Sequence, residues 1–171
     1  EAESIKQVAE GIRSFLKDNF DRYVRILSDL VAIPSVSAKG EHMDECARLV
    51  ADLLAERGFK VKIARAGGHP AVLGELESGE KAILIYNHYD VQPPEPLEAW
   101  KHDPFKLTAE DGRLFGRGTA DNKGNIVARL AAIDALKHVL GEVPLAVKFL
   151  VEGEEEIGSP TLPKLVEENR E

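Results

Sequence analysis

The sequence predicts an α/β fold, with a mainly parallel or mixed sheet flanked by helices. Apolar residues recur at helical spacing in four segments of the chain. In four other segments they alternate with polar residues or form short unbroken apolar runs, as β-strands do. Strands separated by helices favour a sheet with helices packed on its faces.

The helical segments carry their own boundary signals. Residues 4–32 predict one or two helices that end before Pro34, because a residue preceding proline disfavours the helical conformation. A second helix is predicted over residues 41–57, where Gly58 ends it. Residues 122–140 predict a long helix, and residues 162–168 begin a final one.

The strand candidates differ in pattern. Residues 59–63 alternate between apolar and polar, as a half-buried strand does. Residues 71–76 and 145–151 are two more candidates. Residues 82–86 are almost wholly apolar, which predicts a central strand covered on both faces. The stretch from 92 to 118 reads as irregular.

Length, charge and cysteine content exclude several classes of protein. A chain of 171 residues suits one domain with a real core. Its net charge of −8 opposes binding to nucleic acid or to an anionic membrane, and no run approaches the ~18 apolar residues of a membrane span. Cys46 is the only cysteine, so an internal disulfide is excluded and a reducing, cytoplasmic location is favoured. We interpret Cys46 as a small core or surface thiol and not as a nucleophile.

Residues that can perform chemistry follow the predicted strands. Residues 87–93 follow one buried strand, residues 152–159 follow another, and residues 115–124 lead into the long helix. Functional groups in α/β sheets gather beyond the carboxyl ends of the strands. We therefore expect these three segments to meet at one edge of the sheet.

The acidic and histidine side chains in these segments suit a metal. Carboxylates held close together repel each other unless a cation lies between them. Imidazole and carboxylate groups are zinc ligands, and such sites can hold two ions roughly 3.5–4 Å apart. Asp90 lies two residues after His88, so in extended chain it can orient that ring from behind.

Each signal has a plainer interpretation when taken alone. His88-Tyr89-Asp90 could be polar surface, and residues 152–156 could be a solvated acidic loop. Gly116-Arg117-Gly118 could be a tight turn, whereas a phosphate loop is disfavoured because its glycine-lysine pattern is missing. The order and placement of the three segments together favour a metal site.

The same segments resemble the three signature blocks of one family, the dinuclear zinc metallopeptidases of glutamate carboxypeptidase, aminoacylase, succinyl-diaminopimelate desuccinylase and carnosinase. The resemblance extends to residues 30–37, and residues 100–114 are most similar to the carnosinase and non-specific dipeptidase branch. The matching blocks are His88-Tyr89-Asp90-Val91-Gln92-Pro93, Gly116-Arg117-Gly118-Thr119-Ala120-Asp121-Asn122-Lys123-Gly124 and Glu154-Glu155-Glu156-Ile157-Gly158-Ser159.

This resemblance implies roles for five residues. His88 would bind one zinc, Asp121 would bridge two zincs, and Glu156 would bind the other. Asp90 would support His88, and Glu155 would be the general base. Two Zn²⁺ ions per site are implied, although Co²⁺ and Mn²⁺ accept the same ligands. The resemblance also implies a cis peptide bond between Asp121 and Asn122.

The resemblance further implies that residues 1–171 form the N-terminal segment of a catalytic domain. Family members carry two more metal ligands downstream and an inserted lid or dimerisation domain, through which the full-length protein would form a homodimer. We expect a small peptide or N-acyl amino acid as substrate and expect this segment alone to be inactive. The alternatives are a non-catalytic fragment with an incomplete metal site and a deacylase or desuccinylase of the same family. A glycosidase with paired carboxylates is disfavoured by the 6% aromatic content, and a serine hydrolase by the lack of Gly-x-Ser-x-Gly.

Overall fold

The computed structural model describes residues 2–170, which form five α-helices and six β-strands. The helices match the predicted segments, with residues 4–32 divided into two. They are α1 (Ala2–Asp18), α2 (Phe20–Val31), α3 (Met43–Ala55), α4 (Lys123–Leu140) and α5 (Leu162–Glu168). The strands are β1 (Lys60–Ala64), β2 (Ala71–Leu76), β3 (Ala82–His88), β4 (Thr108–Glu110), β5 (Arg113–Phe115) and β6 (Ala146–Glu152).

Four of the strands form a mixed sheet in the order β1-β2-β6-β3. Parallel pairing is confined to β3 and β6, while β1 with β2 and β2 with β6 are antiparallel. The predicted α/β fold with a mixed sheet is confirmed, and the parallel share is smaller than predicted. Only six residues separate β1 from β2, which suits an antiparallel hairpin and not a parallel crossover. Strands β4 and β5 form a separate hairpin inside the segment predicted as irregular.

Helices cover the two faces of the sheet unequally. On one face α3 packs on β1 and β2, and α4 packs near β3 and carries α1 and α2 on its outer side. The main hydrophobic core lies between this layer and the sheet, and it contains the buried Cys46. On the opposite face, Leu165 of α5 forms a small cluster against Ala64 and Ala71. None of the helices in residues 2–170 is both long and apolar enough to cross a bilayer.

The prediction for residues 82–86 as a covered central strand is wrong for the described chain. Strand β3 lies at the edge of the sheet, and nothing within residues 2–170 pairs with its outer side. Leu84 is 68% exposed, and Ile83 and Tyr86 are also exposed. An apolar run indicates that a strand favours burial, but it does not say which elements provide the cover.

A buried ion pair joins three of the helices. Arg57, just beyond the end of α3, donates from Nη2 to Oδ2 of Asp134 in α4 at 2.9 Å. The same oxygen accepts a hydrogen bond of 2.8 Å from the Tyr23 hydroxyl in α2. The Arg57 side chain is 4% exposed and that of Asp134 is 13% exposed, so Asp134 is the close partner of the guanidinium, whose other carboxylate neighbour, the exposed Glu56, lies 4.0 Å from Nη1.

Candidate metal centre

The three predicted segments meet at the carboxyl end of the sheet. His88 ends β3 and lies opposite Glu152, which ends the parallel neighbour β6. Beyond that pair, the Tyr89 backbone N–H donates to the Glu152 carbonyl at 2.9 Å and keeps the two chains together. Asp121 precedes α4 and reaches the same place. The sheet edge expected from the sequence is therefore where these side chains gather.

The His88 ring lies at the centre of the cluster. Its Nε2 atom is 3.0 Å from Oδ1 of Asp121 and 3.6 Å from Oε2 of Glu155. Its Nδ1 atom faces the other way, 3.2 Å from Oδ1 of Asp90. The ring is 6% exposed, so its orientation is fixed by the protein and not by solvent. Nε2 is the atom that points toward the carboxylates.

Asp90 connects the histidine to the acidic turn. Its carboxylate is completely buried. Oδ1 faces His88 and also accepts the backbone N–H of Glu155 at 3.3 Å, while Oδ2 accepts the backbone N–H of Glu156 at 3.0 Å. Burial would raise the pKa of Asp90, but hydrogen bonds from His88 and the Glu156 backbone hold it below its ordinary value. One ionised carboxylate thus positions three of the site residues.

The acidic run at the end of β6 contains two buried and two outward-facing glutamates. Glu152 and Glu154 are 3% and 5% exposed. Glu152 accepts hydrogen bonds from the Tyr86 and Ser159 hydroxyls, and Glu154 accepts one from Thr161. The interpretation as a solvated acidic loop is therefore wrong for these two residues. Their burial leaves Glu155 and Glu156 to face the cluster.

Two amide side chains support the cluster, and sequence reasoning assigned no role to either. Oδ1 of Asn122 accepts the backbone N–H of His88 at 3.1 Å, which ties the start of α4 to the end of β3. Nε2 of Gln92 donates to Oε2 of Glu156 at 2.8 Å. Both residues lie inside the signature blocks, next to residues that were assigned roles. The Asp121–Asn122 peptide bond is cis, as the resemblance implied.

The crowding of carboxylates shifts the proton affinity of two groups. Burial would lower the pKa of His88, but Asp90, aided by the charge of Glu155, raises it to about 9. The pKa of Glu155 is raised by partial desolvation and by the negative charges of Glu156, Asp121 and Asp90, against the opposing effect of His88. A cluster in which carboxylates repel one another and a histidine retains a proton favours a cation.

The donor atoms suit a divalent metal. His88, Glu155 and Glu156 each offer one ligand atom, and these three atoms lie within 4.8 Å of one another. Asp121 stands outside that group of three but has its Oδ1 atom beside Nε2 of His88. One imidazole nitrogen with several carboxylate oxygens is a donor set that zinc accepts. The residues present therefore fit a metal ion.

The raised pKa of His88 predicts a pH dependence of stability in the metal-free chain. The folded state, with a His88 pKa of about 9, holds a proton that the unfolded state releases near its ordinary pKa of about 6.5. This contribution is complete below about pH 6.5 and is lost as the pH rises through about 9. We expect the free energy of unfolding, measured by urea titration with a chelator present, to fall across that window. His88→Gln should flatten the fall, and an equal fall in that variant would contradict the assignment.

Comparison with known proteins identifies the family. Residues 84–171 match the profile of peptidase family M20/M25/M40. The chain belongs to this family. The matched segment begins in β3 and contains every residue of the cluster, so the region that assembles the site is also the region that defines the family.

Individual relatives agree with this membership. Beta-Ala-His dipeptidase of Homo sapiens is 32% identical over 180 residues, which cover 95% of this chain and 36% of that protein. The Cys-Gly metallodipeptidase dug1 of Schizosaccharomyces pombe is 37% identical over 162 residues, covering 85% of this chain and 34% of that protein. The solved M20 family metallo-carboxypeptidase of Sulfolobus solfataricus is 42% identical with a TM-score of 0.82, covering 86% of this chain and 34% of that one. The chain spans about a third of the length of these relatives.

Proposed function

We propose that this chain belongs to a metal-dependent hydrolase that cleaves the peptide or amide bond of dipeptides or N-acyl amino acids. The convergence of His88 with Asp121, Glu155 and Glu156 at the sheet edge is the observation that carries the proposal. Family membership supports hydrolysis of a peptide bond. Two of the compared relatives are named as a metallodipeptidase and a metallo-carboxypeptidase, which supports metal dependence.

In this proposal the side chains of the cluster divide into ligands and a base. His88 would hold a metal through Nε2, Glu156 would hold a second ion, and Asp121 would serve both. Asp90 keeps the Nδ1 side of the His88 ring occupied, so that Nε2 faces the ions. Zinc is the proposed ion, because the set combines one imidazole with several carboxylates.

Glu155 is the proposed general base. Bound divalent ions would lower the pKa of a water molecule and polarise the scissile carbonyl. Glu155 takes a proton from the attacking water and delivers it to the departing amine. A carboxylate whose pKa is raised by its neighbours suits this task, because a base works best when its pKa lies nearer the working pH.

Dipeptides are the substrates that we favour within the proposed class. Two of the three compared relatives are named dipeptidases, and the third is named a carboxypeptidase. A deacylase acting on N-acyl amino acids would use the same metal chemistry. Parallel assays of the gene product that carries this chain, with dipeptides and with N-succinyl or N-acetyl amino acids, separate the two. Faster turnover of the acylated amino acids would overturn the dipeptide assignment.

Zinc binding by this chain tests the metal site directly. We expect the chain to bind zinc at pH 7 and His88→Ala to weaken binding by more than the ~10–100-fold that loss of a supporting partner typically costs. Isothermal titration calorimetry is the measurement. The matched control is His102→Ala, since His102 also contacts a carboxylate, Glu110 at 2.7 Å, but lies outside the cluster. Equal zinc affinity in wild type and His88→Ala would contradict the site.

A further inference from the structure

A buried lysine follows Asp121 by two residues, and no group of opposite charge in the described chain contacts it. Lys123, the first residue of α4, is 0% exposed. Its Nζ atom donates to the carbonyls of Leu30 and Ile33, each at 2.7 Å. Within residues 2–170, no carboxylate lies within ion-pair distance of it. Burial lowers the pKa of Lys123, against the opposing effects of Cys46 and Asp90, and the carbonyls at the C-terminal end of α2 stabilise the ammonium form.

Stability alone does not explain a charged group at this position. Moving an ammonium out of water is costly, and an apolar side chain of similar length would avoid that cost. Neither carbonyl depends on the lysine, because Leu30 also accepts the backbone N–H of Ile33, and Ile33 accepts that of Ser35. What the ammonium adds is two short, charge-assisted hydrogen bonds that set the position of α4 relative to the end of α2.

The end of α2 and the residues just after it, which accept the hydrogen bonds of Lys123, also bind the backbone on both sides of Asp90. Two residues beyond Ile33, the Ser35 hydroxyl donates to the Tyr89 carbonyl at 2.8 Å. The Ser35 carbonyl accepts the backbone N–H of Val91 at 2.9 Å. A chain of contacts therefore runs from Lys123 through the end of α2 to the backbone that flanks Asp90.

A second connection leaves the start of α4 in the other direction. Asn122 accepts the His88 backbone N–H, and Asp121 before it contacts the His88 ring. The tripeptide 121–123 is thus fastened to β3 by Asn122 and to α2 by Lys123. Removing Lys123 deletes two hydrogen bonds between the end of α2 and the start of α4, which gives Asp121 more freedom to shift relative to the His88–Asp90 strand.

We propose that Lys123 is a positioning residue for the metal site, whose buried ammonium ties α4 to the end of α2 and so keeps Asp121 in register with His88 and Asp90. The proposal depends on the proposed function only for its prediction about zinc affinity. It assigns Lys123 no contact with metal or substrate. It predicts that removing the ammonium loosens the backbone at the site even when no metal is present.

Lys123→Met tests the proposal, because methionine keeps the length of the side chain and removes the charge. We expect hydrogen exchange at the backbone N–H groups of His88 and Val91 to accelerate about tenfold or more in the metal-free chain. We expect zinc affinity to fall by about 10–100-fold, the range typical of a lost supporting partner. The matched control is Ile126→Val, which removes one methylene from a buried side chain one turn further along α4. It should leave both readouts close to wild type.

Two outcomes would overturn the proposal. One is unchanged exchange at His88 and Val91 in a folded Lys123→Met chain, whatever the metal result. The other is a change no larger than that of Ile126→Val. If Lys123→Met does not fold, Lys123→Gln also removes the ammonium while keeping a polar side chain, and wild-type exchange at His88 and Val91 in that variant also overturns the proposal. A wild-type chain that binds no zinc contradicts the proposed function instead, and the exchange measurement still decides the role of Lys123.

Discussion

Glu155→Gln, introduced into the gene product that carries this chain, should lower kcat for dipeptide hydrolysis by about 10²–10⁴-fold, the range for loss of a general base. The amide keeps the size of the side chain and an oxygen in the same place, but it cannot take up the proton of the attacking water. Glu155 lies beside His88 and Glu156, so the change is made inside the cluster. Turnover should be measured together with zinc content in the same preparation.

Glu156→Gln provides the contrast for that experiment. Its carboxylate is oriented by Gln92 and is proposed as a ligand, so we expect this variant to lose zinc and activity together. Glu155→Gln should retain zinc and lose turnover. Near-normal kcat in Glu155→Gln would remove Glu155 from the role of base, and loss of zinc from that variant would make it a ligand instead.

Asp134→Ala should lower the free energy of unfolding of the chain by about 3–5 kcal/mol, because it removes the close carboxylate of the buried Arg57 guanidinium and leaves it only the Leu53 carbonyl and the exposed Glu56 at 4.0 Å. Asp134 accepts hydrogen bonds from both Arg57 and Tyr23, so its loss affects α2, α3 and α4 together. A total stability of about 5–15 kcal/mol is usual, so this loss is a large fraction of the total and should clearly lower the midpoint urea concentration. Urea titration followed by circular dichroism measures it.

Tyr23→Phe is the control for the ion pair. It removes one hydrogen bond to Asp134 and keeps the ring in the core, so the expected loss is about 1 kcal/mol. If Asp134→Ala costs no more than Tyr23→Phe, the Arg57 side chain has found water or another acceptor and is not a buried charge in solution. Replacing Arg57 and Asp134 together by methionine and leucine should recover much of the loss.

Much of the fold could be predicted because its signals are local. Apolar spacing and the breakers Pro34 and Gly58 placed the helices, and a two-residue alternation placed β1. The sheet order is not a local property. Whether β3 lies in the centre or at the edge depends on partners that are distant in sequence, and an apolar run looks the same in either position.

The candidate site likewise has features that could be predicted from the sequence and features that could not. The meeting of its three segments could be predicted because they follow strand ends or lead into a helix, where α/β sheets collect functional groups, and the roles of single residues were implied by the family resemblance. The connections among them could not. Nothing in the sequence indicates that Asp90 accepts the backbone N–H groups of two residues more than sixty positions away, or that Lys123 turns inward to the end of α2. Lysine is usually exposed, so composition alone argues against the position that it occupies.

The hydrogen bonds that Asp90 makes to the His88 ring and to the backbone of Glu155 and Glu156 affect how tightly the proposed site can bind an ion. Ordering flexible side chains around a ligand costs conformational entropy at the moment of binding, and a rigid site avoids that cost. Because one buried carboxylate fixes the His88 ring and the backbone of Glu155 and Glu156, the part of that entropy that belongs to this ring and this backbone is lost when the chain folds. The His88 ring and the turn that carries Glu155 and Glu156 are therefore positioned relative to each other before the proposed ion binds.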